Sequence, residues 1–319
     1  MTPHRLIVLG AGAIGAGVGA LLHASGQDVV LVARGENGRA LAAGGVDLRR
    51  PGGASRVPVP TVLDLGEVGV SPDDLVLVCT MGHDTLPAVA PLSPAVPVVS
   101  LQNGLGPAAA LADRGHPTLA AVVWIAAERR APGVVVLSGQ PNPGTILLGG
   151  WPGGAPPLAR FLVDALAHAG LGAQLEPDLT PWMRAKHLSN LGGVVVALCD
   201  DPPNDVLDAA RAEAIAVWEA AGLPWRPTAD LLDRIGPYTL ADVDGRPRVG
   251  GSTRHALARG DPLESAALHG EIVALGRRHG VPTPVNAALI TCAEQAFEAA
   301  HPAGSWSADR LRQAVCARV

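Results

Sequence analysis

The chain has 319 residues, 48% of them hydrophobic and 17% charged, with 39 Gly, 29 Pro and a formal net charge of -5. That length suits two domains with ample material for a core, and the balance reads as an α/β globule rich in tight turns rather than a disordered chain. A mildly acidic chain without a basic block excludes nucleic acid and the membrane surface as principal partners, so any anion site is local. The cysteines Cys79, Cys199, Cys292 and Cys316 lie far apart without CxxC or Cys/His spacing, which points to a reduced, cytoplasmic chain with no metal. Arg5 followed by the uncharged run Leu6 to Leu22 has the outline of a signal peptide or short membrane span. The glycines within that run fit a nucleotide-binding turn instead, and no targeting segment is expected.

Leu6-Ile7-Val8-Leu9 is a short apolar run suited to a buried parallel strand, and Gly10-Ala11-Gly12-Ala13-Ile14-Gly15 follows it directly. In G-x-G-x-x-G the first glycine permits the tight turn, the second lets a pyrophosphate approach the backbone, and the third lets helix pack closely on strand. The free N–H groups of the helix N-terminus then face the phosphates. Ile14, Val18, Leu21 and Leu22 supply the apolar stripe, and Ser25-Gly26 ends the helix. The second strand, Val29–Val32, leads to Arg34 where a site for NAD would place an acidic residue for the ribose 2'-hydroxyl. Arginine pairs with phosphate, so the expected cofactor is NADPH; Glu36, the competing acid, falls two residues late.

Further strands are expected at 75–79, 97–101 and 119–125, with 134–137 and 145–148 forming a hairpin across a Gly/Pro loop, and a last strand at 172–176. Gln102-Asn103-Gly104 follows a strand at the carboxyl edge, where open α/β sheets bind ligands. After Pro177 the helical period dominates, over 208–221, 228–235, 263–279 and 283–300. The predicted architecture is therefore α/β: a Rossmann doubly wound sheet over residues 1–178 and an all-helical domain over 179–319.

Lys186 is the only lysine, in a chain whose other cations of this kind are all arginine. A lysine ammonium gives up its proton when partly buried, whereas arginine stays charged, so Lys186 is a candidate general acid. Asn190, four residues on, shares its helical face.

With these motifs in order along nearly the whole length, the chain resembles the ketopantoate reductase family, the 2-dehydropantoate 2-reductases of pantothenate biosynthesis, within the 6-phosphogluconate dehydrogenase-like superfamily. The resemblance is carried by GAGAIG at 10–15 with Arg34, LQNGLG at 101–106, Lys186 with Asn190, Ser252 with Glu264 and Gly270, and GVPTPVN at 280–286. It implies an NADPH-dependent reductase of a small carbonyl substrate and a homodimer. It also implies that Lys186 is the general acid and that Glu264 positions or balances it. Gly10, Ala11, Gly12, Ala13, Ile14, Gly15, Arg34, Met81, Gln102 and Asn103 are then the cofactor-binding positions. Asn103, Asn190, Val194 and Ser252 are the substrate-binding positions. Hydride arriving on a ketone carbon builds negative charge on oxygen, which an ammonium stabilises and then protonates. The chain departs from the family at Val194, where asparagine is usual, at Met81, where lysine is usual, and at Leu263-Glu264-Ser265 and His269-Gly270. His83 and His269 are candidate replacements for the lost polar groups. These departures leave room for another 2-oxo acid, a 1,3-dicarbonyl or a cyclic imine as substrate, or for a non-catalytic NADP-binding regulatory module.

Overall fold

The computed structural model describes residues 2–261 and 263–318. The chain forms two compact units, one running to Leu179 and including Leu232–Arg248, the other comprising Thr180–Leu231 and the chain from Val249 onward. Residues 232–248, expected in the helical half, thus lie with the first unit.

The first unit begins with β1 (Leu6–Leu9), α1 (Ala13–Ala24), β2 (Val29–Val32), α2 (Gly35–Gly44), the hairpin β3 (Val46–Arg50) and β4 (Gly53–Val57), and β5 (Thr61–Val62). It continues through β6 (Leu75–Val78), α3 (Thr85–Val89), β7 (Val98–Ser100), α4 (Gly106–Asp113), β8 (Thr118–Ile125), β9 (Ala127–Ala131) and β10 (Val134–Leu137). Then come β11 (Gly139–Gln140), β12 (Gly144–Gly150), α5 (Pro157–His168) and β13 (Gly172–Leu175), and the returning segment adds β14 (Thr239–Leu240). The large sheet has the order β13-β12-β8-β7-β6-β1-β2-β5. Its strands from β8 to β5 are parallel, with Leu6 opposite both Val29 and Leu75.

Alternation assigns each strand residue to a face. Leu6, Val8, Leu75 and Leu77 join a core with Val18 and Leu22 of α1. Ile7, Leu9, Val76 and Val78 join another with Val89 and Leu111. Both faces are covered, which is why these strands read as continuous apolar runs rather than alternating ones.

The expected hairpin between 134–137 and 145–148 does not form. β10 pairs with β9 and β3 in a four-stranded sheet, order β4-β3-β10-β9, while β12 pairs with β8 and β13 in the large sheet. Pro141 and Pro143 carry no N–H with which to continue a ladder, and the Asn142 side chain accepts from Gly144 N at 3.0 Å, starting β12 afresh. β12 is buried along its whole length, so its apolar run fits a strand covered on both faces. The β3–β4 hairpin had a signal of its own, Val46-Asp47-Leu48-Arg49 alternating ahead of the Pro51-Gly52 turn.

The second unit contains α6 (Thr180–Asn190), α7 (Gly193–Leu198), α8 (Asn204–Ala220), α10 (Ser252–Arg259), α11 (Ser265–His279), α12 (Pro284–Glu298) and α13 (Ala308–Cys316), with α9 (Thr228–Ile235) beginning in it. Among the described residues no helix is long and apolar enough to cross a membrane. The GVPTPVN stretch has a structural basis. Gly280, at φ 70°, ends α11 in the left-handed region, Pro284 opens α12, and Asn286 is fully buried. Glu213 of α8 accepts from Val285 N at 2.8 Å, Asn286 N at 2.9 Å and Asn286 Nδ2 at 2.7 Å, so a carboxylate caps α12 from outside the helix. Asn286 Oδ1 in turn accepts from His269 Nδ1 at 2.8 Å.

Removing that carboxylate leaves several buried donors without their acceptor. Glu213→Ala is expected to lower unfolding free energy by about 1–3 kcal/mol, measured as a reduced urea midpoint at unchanged m value.

Candidate functional site

The glycine loop performs three separate tasks. Gly10, at φ +99°, turns the chain at the end of β1, and its N–H and that of Ala11 donate to the Val32 carbonyl of β2 at 3.0 and 3.1 Å. A Cβ on Gly10 would stand 2.8 Å from Thr80 N, so the loop after β6 lies directly against it. Gly12 is the N-cap of α1, without a side-chain cap, and a Cβ there would meet nothing within 4 Å. Space is left at the point where the free N–H groups of Ala13 and Ile14 begin the helix. Gly15 is the opposite case, because a Cβ would strike the Gly10 carbonyl oxygen and crowd Val8 Cγ1 at 3.0 Å and Cys79 Cβ at 3.1 Å. An open cradle at uncapped helical donors fits a diphosphate, and the residues present therefore suit a dinucleotide.

Arg34 is the N-cap of α2 and exposed, and among the described residues its guanidinium has no hydrogen-bond or ion-pair partner. Glu36 is likewise exposed, in the first turn of α2. Asn37, not singled out from the sequence, donates Nδ2–H to the Ala11 carbonyl at 2.8 Å and accepts from Gly133 N at 3.0 Å. It ties the glycine loop to α2 and to the β9–β10 turn.

Gln102 is buried and its amide is committed internally. Nε2 donates to the Thr80 carbonyl at 2.9 Å and to Thr85 Oγ1 at 2.8 Å, and Oε1 accepts from Ser100 Oγ at 3.2 Å. Its role is to hold the turn that carries Met81, itself half-buried, rather than to offer a free amide. Asn103 is half-buried in the following loop, next to Gly104 at φ +82°. The loops after β1, β6 and β7 thus lie at one carboxyl edge of parallel strands, where such sheets bind ligands.

In the second unit, α6 forms as expected and is fixed along its buried side. Arg184 donates to the Pro224 carbonyl at 2.7 Å, Thr228 Oγ1 to the Ala185 carbonyl at 3.2 Å, and His187 Nε2 to the Leu268 carbonyl at 2.9 Å. Beyond Thr180 at its start, the half-buried residues of α6 are Trp182, Lys186, Ser189 and Asn190, at i, i+4, i+7 and i+8, so Lys186 and Asn190 share one stripe. Glu264 is half-buried at the N-cap of α11, and Ser252 is exposed at the first position of α10.

Two expectations are corrected. Val194 is 2% exposed and packs among Val195, Leu198, Leu289 and Cys292, so its side chain is built into the core rather than offered at the surface. His269 is also buried, bonded to Asn286, and burial pushes its imidazole down to about 4, which keeps it neutral and internal. His83 is exposed, with Nε2 3.8 Å from Asp84 Oδ2. Among the described residues no His, Cys, Asp or Glu cluster could hold a metal ion.

The contrast between Gly12 and Gly15 is testable. Gly12→Val should leave thermal stability within about 1 kcal/mol of the parent while weakening NADPH binding, whereas Gly15→Ala should lower stability itself; a fluorescence titration and a melting curve on each variant separate the two effects.

The family model for ketopantoate reductase PanE/ApbA matches residues 6–153, and that for the C-terminal part of the same family matches residues 190–296. The chain is 30% identical over 302 residues to a 2-dehydropantoate 2-reductase of Caulobacter vibrioides, covering 89% of this chain and 96% of that one. It is 29% identical over 299 residues to one of Halobacterium salinarum, covering 88% and 95%. Among solved structures, a PanE/ApbA family ketopantoate reductase from Ralstonia eutropha JMP134 superposes with a TM-score of 0.77 at 26% identity, over 93% of this chain and 99% of that one. D-mandelate dehydrogenase with NADH and anilino(oxo)acetate has a TM-score of 0.76 at 19% identity, over 93% and 99%, which speaks for the fold. A dinucleotide cradle on a Rossmann sheet, the helical unit with its lysine and asparagine, and these matches over most of the length agree: the chain belongs to the ketopantoate reductase PanE/ApbA family of oxidoreductases.

Proposed function

We propose that this protein is an NADPH-dependent reductase of a 2-oxo acid, with 2-dehydropantoate the first candidate substrate. In this reading residues 1–178 bind the cofactor, residues 179–319 serve substrate binding and dimerisation, and the protein acts as a cytoplasmic homodimer. The observation that carries the proposal is the stripe on α6, where the chain's sole lysine and Asn190 sit half-buried on a helix clamped from its other side.

NADPH supplies the hydride that reduces the carbonyl carbon. The protein's part is to orient the carbonyl, to stabilise the charge that develops on its oxygen and to deliver a proton there. Lys186 is assigned the last two tasks, because an ammonium is both a point charge and an acid. Asn190, Asn103 and Ser252 are assigned the substrate's oxygens, and Glu264 the positioning of the ammonium. Arg34, exposed and without an acidic partner among the described residues, is assigned the 2'-phosphate, which supports NADPH over NADH.

A second reading keeps the chemistry and changes the substrate. Met81 stands where the family pattern has lysine, so another ketone or a cyclic imine has one charged group fewer to satisfy. A panel of 2-oxo acids, 1,3-diketones and cyclic imines, with NADPH oxidation as readout, decides between them; tight NADPH binding with no turnover of any member favours a non-catalytic regulatory module.

Lys186→Arg should retain NADPH affinity and lose roughly 10²- to 10⁴-fold in kcat, because the charge remains while proton donation does not. Undiminished turnover removes Lys186 as the acid. Arg34→Ala should raise KM for NADPH roughly 10- to 100-fold with little change for NADH; equal effects on both would place Arg34 outside the phosphate site.

A further inference from the structure

β8 runs parallel to β7, so its end at Ile125 reaches the same sheet edge as the loops after β1, β6 and β7. There the chain bends through Ala126 into β9, and the segment 232–248 returns to hold the bend. Tyr238 Oη accepts from Ala126 N at 2.9 Å and donates to the Pro143 carbonyl at 3.4 Å. The segment is fastened further along, where Ala241 N donates to the Ser138 carbonyl at 2.9 Å and Asp244 pairs with Arg49 at 2.9 Å and Arg130 at 3.3 Å. It ends on Arg248, whose Nη1 donates to the Ala127 carbonyl at 2.9 Å.

Arg248 differs from Arg49 and Arg130. Arg49 bonds to both Asp47 and Asp244, and Arg130 pairs with Glu128 at 3.6 Å and with Asp244. Arg248 is half-buried, and among the described residues it has no carboxylate within 4.0 Å and no second hydrogen-bond acceptor. Four of the five donors of a guanidinium are therefore uncommitted. Burial lowers its pKa from the ordinary arginine value, yet an arginine remains a cation at neutral pH. The Glu128 carboxylate, beyond ion-pair distance and shared with Arg130, raises that pKa only in part, so a half-buried cation is left incompletely compensated and an anion reaching it offsets that cost.

We propose that Arg248 binds the carboxylate of the 2-oxo acid substrate, its planar fork taking both oxygens while the Ala127 carbonyl and the Tyr238-braced bend fix its direction. The proposal rests on the reductase reading above and adds to it the group that would make the enzyme select acids over neutral ketones. A phosphate of the cofactor is the competing anion, and the two make different demands on a mutant.

The experiment uses the full-length protein with Arg248→Gln and Arg248→Lys. It measures NADPH-dependent reduction of a branched 2-oxo acid and of its methyl ester, NADPH affinity by fluorescence, and calorimetric binding of the corresponding 2-hydroxy acid in the presence of NADP. Arg248→Gln is expected to raise KM for the acid roughly 10- to 100-fold, to leave KM for the ester and NADPH affinity unchanged, and to weaken hydroxy-acid binding by the same factor. Arg248→Lys, which keeps the charge and loses the fork, should show a smaller rise for the acid; it carries the test if the glutamine variant does not fold. Equal shifts for acid and ester, unchanged kinetics, or a loss confined to NADPH overturn the proposal. If the parent protein binds NADPH but reduces no 2-oxo acid, the reductase reading fails on its own. Calorimetry then decides Arg248: hydroxy-acid binding weakened in the glutamine variant supports it, and binding that is unchanged there or undetectable in the parent overturns it.

Discussion

At Gly15 the first helix meets the first strand with no side chain between them. The contact admits no Cβ, because the Gly10 carbonyl lies in its path and Val8 and Cys79 close in behind. Helix and strand are thereby drawn together at the point where the chain turns between them. This closeness aims the uncapped end of α1 along the sheet edge and lets Gly10 press against the turn at Thr80. The order of the parallel strands around β1 then brings the loops after β6 and β7 to the same edge. Without that approach the open space at Gly12 would have no helical donors behind it.

The helical unit solves a different problem, that of holding a half-buried polar stripe in place. It does so with polar groups whose partners are internal. His187, Arg184 and Thr228 bond to backbone carbonyls around α6, and the Glu213–Asn286–His269 chain ties α8, α11 and α12 together. Each of these groups makes at least one internal hydrogen bond, though among the described residues His187 Nδ1 and His269 Nε2 are buried without one, and a slip of any helix breaks a bond that is made. Lys186 and Asn190 lie on the half-buried stripe of α6.

The core of the first unit was legible because its signals are local. A strand, a glycine turn and a helix within thirty residues have one good physical explanation, and Leu6–Leu9, Val29–Val32 and Gly10 to Gly15 stand where they were expected. Long-range pairing was not legible. The residues 134–137 and 145–148 were correctly read as strands and wrongly joined, because propensity identifies a strand and says nothing of its partner. Burial misled in the same way at Val194 and His269, which occupy motif positions yet point into the core. Gln102 was named for its place after β7, but its amide proved to be a brace. Asn37 carried no signal at all, because its importance lies in two backbone groups, Ala11 and Gly133, that are remote from it in sequence. Family membership reconnects such positions to a common architecture, and the individual contacts emerge only in three dimensions.

The return of residues 232–248 to the first unit also bears on how the protein is made. β11 finds its partner β14, the bend after β8 finds Tyr238, and Arg49 and Arg130 find Asp244 only in that segment. On the ribosome, therefore, the Rossmann sheet can assemble from the first strands while its flank waits for more than fifty further residues to be synthesised, by which time α6 to α8 have already emerged. The first unit is discontinuous in sequence, so the two units are interleaved in synthesis. A chain that stops between them is an unfinished first unit, not a free-standing one.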